Sequence, residues 1–298
     1  MRFVVGNAVS AHVPASGLRP DRMLKQRIIT GLIFALSVIA LVLLMPPGLV
    51  LGLFALIVVA ASWEWAAFTG LTTTRQRVAY ALVPTMLMGL LAPVLLGEGA
   101  RDIIPPVMLF AAVFWAVAII SVFRYPAGTA LWSARPVLML IGLGVLLPPW
   151  VALALIRGLP NGAILVIYCI AAIAMADIGA YFAGRFFGGP KLMPAVSPAK
   201  TLSGMVGGVT LSLVFSLLFG WLSGVAPDRL MSWASLALAA SLVSVFGDLL
   251  ESMAKRHCGI KDSGSLLPGH GGLFDRVDSL SAGLPVFAIG FLLYGGVW

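Results

Sequence analysis

Between residues 248 and 278 the chain carries Asp248, Glu251, Asp262, Asp275 and Asp278, five of its 11 acids, interleaved with Lys255, Arg256, Lys261 and Arg276. Only 10% of all residues are charged and 60% are hydrophobic, so this density asks for a chemical reason beyond solvation. Asp275 and Asp278 stand three apart, a spacing that brings two side chains to one side of a helical turn. With Asp248 they form a set of hard oxygen ligands suited to a divalent cation such as Mg²⁺, which takes few carboxylates and completes its shell with phosphate oxygens. The interleaved Lys and Arg would neutralise those phosphates, and Pro268-Gly269-His270-Gly271-Gly272 supplies a flexible backbone between them. His257 and Cys258 are adjacent and His270 stands alone, which is not the ligand spacing of a zinc site.

A second polar stretch runs from Pro190 to Gly208. Ser197, Thr201 and Ser203 offer hydroxyls, Lys200 an ammonium, and Gly204, Gly207 and Gly208 an unobstructed backbone leading into a helix. These are the parts needed to hold a polyphosphate at a helix N-terminus. The same residues could equally serve only to cap and start that helix. Upstream, Asp177, Tyr181, Gly184 and Arg185 share one helix face by their spacing. A carboxylate at membrane depth costs ~2.5–3.5 kcal/mol even on the milder scale, so Asp177 should face a partner or a wet cavity. A surface pair with Arg185 is the simpler alternative. Glu64, between Trp63 and Trp65, reads as a structural pairing rather than chemistry.

The elements that position these residues are membrane spans. Mean hydropathy is +1.05, above what a soluble domain carries, and apolar runs of bridging length recur along nearly all of the 298 residues. Hydropathy predicts an all-α bundle of about nine spans, at roughly 28–45, 48–67, 78–97, 103–123, 136–156, 162–184, 204–225, 231–250 and 280–297. Residues 1–27 read as a disordered cytoplasmic segment and 28–298 as one membrane domain, with the chemistry at about 162–280. Met23 is a plausible second start, and no cleavage site follows 28–45. If the N-terminus is cytoplasmic, all 19 Lys and Arg except Arg101, Arg157 and Arg229 fall on that side. The positive-inside rule then places the C-terminus opposite and both polar stretches in the cytoplasm. The net charge of +8 reflects this bias and attraction to anionic lipid, with nothing in it pointing to nucleic acid. Two cysteines, Cys169 in a span and Cys258 in a loop, make no disulfide framework.

Ser252 with Lys255-Arg256, then Lys261-Asp262 and Gly264, then Leu267-Pro268-Gly269-His270-Gly271-Gly272 with Asp275-Arg276 and Asp278, resembles the signature of the phosphatidate cytidylyltransferase family, or CDP-diacylglycerol synthases. Asp177 to Arg185 and Ser197-Pro-Ala-Lys200-Thr201 with Gly204, Gly207 and Gly208 resemble it too, so the likeness is dense in the C-terminal half. One departure is Ser203, where family members commonly carry an acid. The resemblance implies transfer of the cytidylyl group of CTP to phosphatidic acid, giving CDP-diacylglycerol and pyrophosphate for phospholipid synthesis in a bacterial inner membrane. It implies Mg²⁺ on Asp248, Asp275 and Asp278, with room for a second cation such as K⁺, and CTP phosphates at Ser197, Lys200 and Thr201. Lys255, Arg256, Lys261 and Arg276 would serve the triphosphate or the lipid phosphate. His270, Gly271 and Gly272 would shape the loop, Asp177 and Tyr181 would line the head-group cavity, and a homodimer is possible. Alternatives are a CTP-dependent polyprenol kinase or ether-lipid cytidylyltransferase, a cation-coupled transporter built on Asp177 and Asp248, and a structural scaffold in which the charges are dispensable.

Overall fold

Pro46 and Pro47 separate the first two helices, because a proline ring cannot continue a helix but suits the first turn of the next one. The computed structural model of the protein describes residues 35–260, 262–264 and 271–294. Residues 1–27, the start of the predicted first span, Lys261 and His270 lie outside them. The chain divides into two units, Met1–Leu41 and Val42–Trp298. Helix α1 (Ala35–Leu44) begins in the first, and all else below belongs to the second.

The second unit continues with α2 (Pro47–Phe68), α3 (Thr74–Leu95), α4 (Ala100–Phe123), the one-turn α5 (Thr129–Trp132), α6 (Arg135–Gly158) and α7 (Gly162–Phe187). A two-stranded antiparallel hairpin follows, β1 (Lys191–Met193) and β2 (Ser197–Thr201), in which Lys191 pairs with Thr201 and Met193 with Ser197. Then come α8 (Leu202–Leu222), α9 (Leu230–His257), a 3₁₀ turn at Phe274–Arg276 and α10 (Asp278–Leu293). Seven helices, α2, α3, α4, α6, α7, α8 and α9, are long and apolar enough to cross a membrane; α10 and the described part of α1 are shorter. The chain is therefore an all-α polytopic membrane protein with one small hairpin.

Three differences from the sequence expectation matter for the site. The first part of the polar stretch from Pro190 to Gly208, read as a loop, is the hairpin, too short and too interrupted by Pro194 and Pro198 to show a strand period. Helix α9 runs seven residues beyond the predicted end at 250, to His257. Its last two turns are charged, yet Glu251, Met253 and Ala254 are buried because this end packs against other chain segments and not against water. The last predicted span, 280–297, is described as the 16-residue α10.

Helices α7 and α8 form the tightest pair. Lipid gives apolar side chains no reason to prefer each other over acyl chains, so close approach through small residues supplies the attraction. Gly179, Gly204 and Gly208 lie in this seam, where a Cβ on Gly204 would come within 2.9 Å of the Ala180 carbonyl and one on Gly208 would strike that of Ala176. Ser212 Oγ adds a 2.8 Å hydrogen bond to the Ala172 carbonyl across it. Farther along, Tyr168, Phe219 and Trp233 stack to join α7, α8 and α9.

At the end of the bundle where α2 stops, basic side chains close the helix termini. Arg135 donates from Nε to the Thr69 carbonyl (3.1 Å) and from Nη2 to that of Gly70 (3.2 Å), while Arg77 Nε reaches the Leu71 carbonyl (3.0 Å). Cations at carbonyl-rich helix C-termini are favoured by the helix dipole. Cys258 Sγ contacts the Phe68 carbonyl at 3.2 Å, bringing the end of α9 to the same level.

Candidate active site

Asp248, Glu251, Ser252 and Lys255 fall at helical intervals of three and four residues on α9 and so make one stripe. Asp248 Oδ2 is 2.6 Å from Lys200 Nζ on β2, and its Oδ1 accepts from Ser252 Oγ at 3.2 Å. One turn on, Lys255 Nζ donates to Asp275 Oδ1 at 2.7 Å and lies 3.5 Å from Glu251 Oε1. The side chains of Lys255 and Asp275 keep 14% and 16% of their exposure and that of Glu251 none, so this is an ion pair held largely out of water.

Asp275 uses its second oxygen as well. Oδ2 accepts from the Gly272 N–H (2.9 Å) and the Ser263 N–H (3.3 Å). Burial alone would raise its carboxyl, but hydrogen bonding with Glu251 and Lys255, the Lys255 charge and the Gly272 N–H outweigh it and hold the group at about 2, below its ordinary 3.8. Gly271 turns the chain there at φ +83°, a left-handed conformation that favours glycine.

Asp278 opens α10, where its Oδ1 accepts the Ser279 N–H at 2.7 Å and it lies in the field of Asp248 and Lys200 and beside Glu251. Gly247 on α9 makes this approach possible, since a Cβ there would strike the Asp278 carbonyl oxygen. Asp177 on α7 completes the group: it accepts from Ser279 Oγ at 3.4 Å and lies in the field of the same Asp248 and Lys200. It is not paired with Arg185, which donates instead to the hydroxyl of exposed Tyr181 at 3.2 Å.

Five carboxylates from α7, α9, the 3₁₀ turn and α10 thus gather around two ammonium groups, Lys200 and Lys255. Glu251 is 1% exposed, with Lys255 Nζ 3.5 Å from its Oε1 and the carboxyl groups of Asp275 and Asp278 beside it. Carboxyl oxygens outnumber the two ammonium groups here, which fits a divalent cation. No three of the acids, His or Cys among the described residues are already arranged as a metal-ligand group. The fit is therefore to a cation such as Mg²⁺, held by one or two carboxylates and completing its shell with water and phosphate oxygens.

The other candidates are placed as follows. Thr201 is buried and caps α8, its Oγ1 accepting the Gly204 N–H at 3.1 Å, with Ser203 Oγ also 3.1 Å away. Ser203 Oγ donates to the Gly188 carbonyl and so closes the neck of the hairpin. Ser197 is partly buried on β2. Arg256 is exposed, and its Nε holds the Val196 carbonyl in the hairpin turn at 3.3 Å. Arg276 is exposed on the 3₁₀ turn and Gly272 is buried. Sequence reasoning did not assign Glu251 or Ser279 to the site, although the 248, 251, 252, 255 stripe was readable in the spacing. Nor did it find what Glu64 holds. That buried side chain of α2 accepts from the Leu273 N–H (3.0 Å), the Phe274 N–H (2.7 Å) and Ser263 Oγ (3.2 Å), partners about two hundred residues downstream.

The sequence model described as "Cytidylyltransferase family" matches residues 25–294. A protein of Pseudomonas aeruginosa named phosphatidate cytidylyltransferase is 40% identical over 93% of this chain and 99% of its own length. Proteins of the same name from Haemophilus influenzae and Brucella suis are 34% and 38% identical, over 89% and 87% of this chain and 98% and 90% of theirs.

Proposed function

The chain belongs to the cytidylyltransferase family, and on that premise we propose that it joins CTP to phosphatidate, giving CDP-diacylglycerol and pyrophosphate. The observation that carries this reading is the meeting of five carboxylates with Lys200 and Lys255 at the ends of apolar helices. A soluble nucleotide can reach such a place from water, and a lipid phosphate can reach it from the bilayer.

The phosphate oxygen of phosphatidate is already anionic at neutral pH and attacks the α-phosphorus of CTP. The new P–O bond forms as the bond from the α-phosphorus to the bridging oxygen breaks, and pyrophosphate leaves with that electron pair. No proton needs to be removed, so the demand on the protein is to bring two polyanions together and stabilise charge on the leaving group. Lys200 is partly exposed, close to the N-terminus of α8, and supplies a positive charge to phosphates arriving there. Ser197 and Thr201 flank it, with Thr201 fixing the helix start. Arg256 and Arg276 are exposed and serve the triphosphate or the lipid phosphate together with Lys261, and His270 shapes the loop. Lys255 acts from below, setting Asp275. Gly271 and Gly272 let the loop turn tightly, and Asp177 and Tyr181 line the side toward the lipid.

Mg²⁺ fits Asp248 and Asp278, with Asp275 as a third carboxylate if Lys255 yields to it and room for a second cation such as K⁺. The bound ion would neutralise phosphate charge and favour departure of pyrophosphate. The topology is nine spans with the N-terminus and the site in the cytoplasm and the C-terminus outside, in a bacterial inner membrane, with a homodimer as the working unit.

The test is conversion of phosphatidate by the purified full chain in detergent with Mg²⁺ or EDTA, for wild type and Asp248→Asn. Mg²⁺-dependent CDP-diacylglycerol formation that falls at least about 100-fold in the variant is expected. A folded wild type that consumes no CTP with phosphatidate would overturn the reading.

A further inference from the structure

Glu64 sits outside every charged stretch of the chain, on a helix whose other residues from Pro47 to Phe68 are apolar apart from Ser62. It is 2% exposed, and no Lys or Arg among the described residues forms a salt bridge with it. Its charge is met by the three donors already named, two of them the backbone N–H groups of Leu273 and Phe274 at the start of the 3₁₀ turn. The chain closes tightly around it: a Cβ on Gly264 would strike Glu64 Oε1, and one on Gly272 would come within 2.8 Å of Oε2.

The same short stretch is gripped from the other side by Asp275. Ser263 gives its N–H to Asp275 and its hydroxyl to Glu64, while Gly272 gives its N–H to Asp275 just before Leu273 and Phe274 turn to Glu64. The two carboxylates therefore form one clasp around residues 263–264 and 271–275. Glu64 is itself fixed. The neighbouring Trp65 packs edge-on against Phe274 with ring centroids 5.4 Å apart, and its Nε1 donates to the Leu138 carbonyl on α6 at 2.8 Å.

We infer that Glu64 is a positioning residue for the reaction. Its carboxylate sets the height and rotation of the 3₁₀ turn, so that Asp275 meets Lys255 and Asp278 enters α10 beside Asp248. This inference rests on the proposed function for its catalytic consequence, while the clasp itself is open to a separate measurement. Glutamine at this position would present one acceptor oxygen and an NH₂ group to three donors, and the turn would lose its fixed place. Misplacement of reacting groups by about 1 Å costs up to roughly 100-fold in rate.

The experiment uses the full-length protein in detergent as wild type, Glu64→Gln and Glu64→Asp. Amide hydrogen exchange is read on the peptide holding Leu273 and Phe274, together with thermal unfolding, kcat, KM for CTP and the Mg²⁺ concentration for half-maximal rate. In Glu64→Gln, exchange at Leu273 and Phe274 should accelerate at least about tenfold while α7 and α8 stay protected, and the unfolding midpoint should fall by no more than about 8 °C. Kcat should fall about 10- to 100-fold with a raised Mg²⁺ requirement, and Glu64→Asp, which keeps the charge one methylene short, should lie between. Unchanged kcat and Mg²⁺ requirement in Glu64→Gln would overturn the inference, as would activity lost only in proportion to unfolded protein. A wild type without turnover would instead sink the proposed function, with the exchange data still deciding the clasp.

Discussion

Replacing Lys255 by methionine keeps the apolar stem and removes only the ammonium. Asp275 Oδ1 then loses its 2.7 Å partner, and Glu251, whose side chain has no exposure, loses the cation 3.5 Å away. Taking one member from a buried ion pair costs about 3–5 kcal/mol, because the other charge stays behind uncompensated. Asp275 keeps the Gly272 and Ser263 N–H groups on Oδ2 and both partners retain slight exposure, which places the loss at the low end, about 3 kcal/mol. In a chain of this size that lowers the unfolding midpoint by about 6–12 °C, readable by tryptophan fluorescence in detergent because Trp65 packs on Phe274 beside Asp275. The pH dependence adds a second readout. The carboxyl of Asp275 lies lower in the folded state, at about 2 against 3.8, so its contribution is fully present above about pH 4 and is lost as the pH falls toward 2. The wild-type advantage over Lys255→Met should shrink across that window, and Lys255→Met with Asp275→Asn should be more stable than Lys255→Met alone. An unfolding midpoint of Lys255→Met within about 1 °C of wild type at pH 7, or a gap unchanged from pH 7 to 2.5, would refute the reasoning.

Two further outcomes follow from the packing of α7, α8 and the hairpin. Gly208→Val should destabilise the protein by about 1–3 kcal/mol through collision with the Ala176 carbonyl, whereas Gly89→Ala, where an added Cβ meets nothing within 4 Å, should not, as thermal unfolding in parallel would record. Lys200→Met removes the pairing with Asp248 across side chains that are 26% and 32% exposed, so stability should change by less than about 1 kcal/mol while turnover with saturating lipid falls at least about 100-fold.

The helices were legible in the sequence because lipid imposes one simple pattern, and breaks such as Pro46-Pro47-Gly48 mark their ends. The hairpin was not, since Lys191–Met193 and Ser197–Thr201 are held by register with each other, by Arg256 of α9 reaching the Val196 carbonyl and by Lys200 reaching Asp248 on α9, none of which leaves a local period. The extension of α9 to His257 was hidden by its charge, which hydropathy reads as an exit from the membrane although Glu251 points inward. Asp177 could be singled out by its depth, but its neighbours Ser279 and Asp248 lie about a hundred and about seventy residues away in sequence. Glu64 shows the limit most clearly. Two of its partners are backbone N–H groups, which any sequence offers everywhere, so no side-chain pattern could point to them.

The small-residue seam between α7 and α8 has a consequence for the order in which the chain becomes a protein. Emerging from the ribosome, α7, the hairpin and α8 can settle together as a helical pair, because the densest of their packing is with each other, within residues 162–222. Asp177 and Lys200 are then carried on that pair before their partners Ser279 and Asp248 have been translated. Glu64, made earlier still, waits with an unmet charge for Ser263, Leu273 and Phe274. The residues from Asp248 to Asp278 therefore close the polar centre, and a chain cut short before Asp248 would leave Lys200 without Asp248 and Glu64 without its three donors.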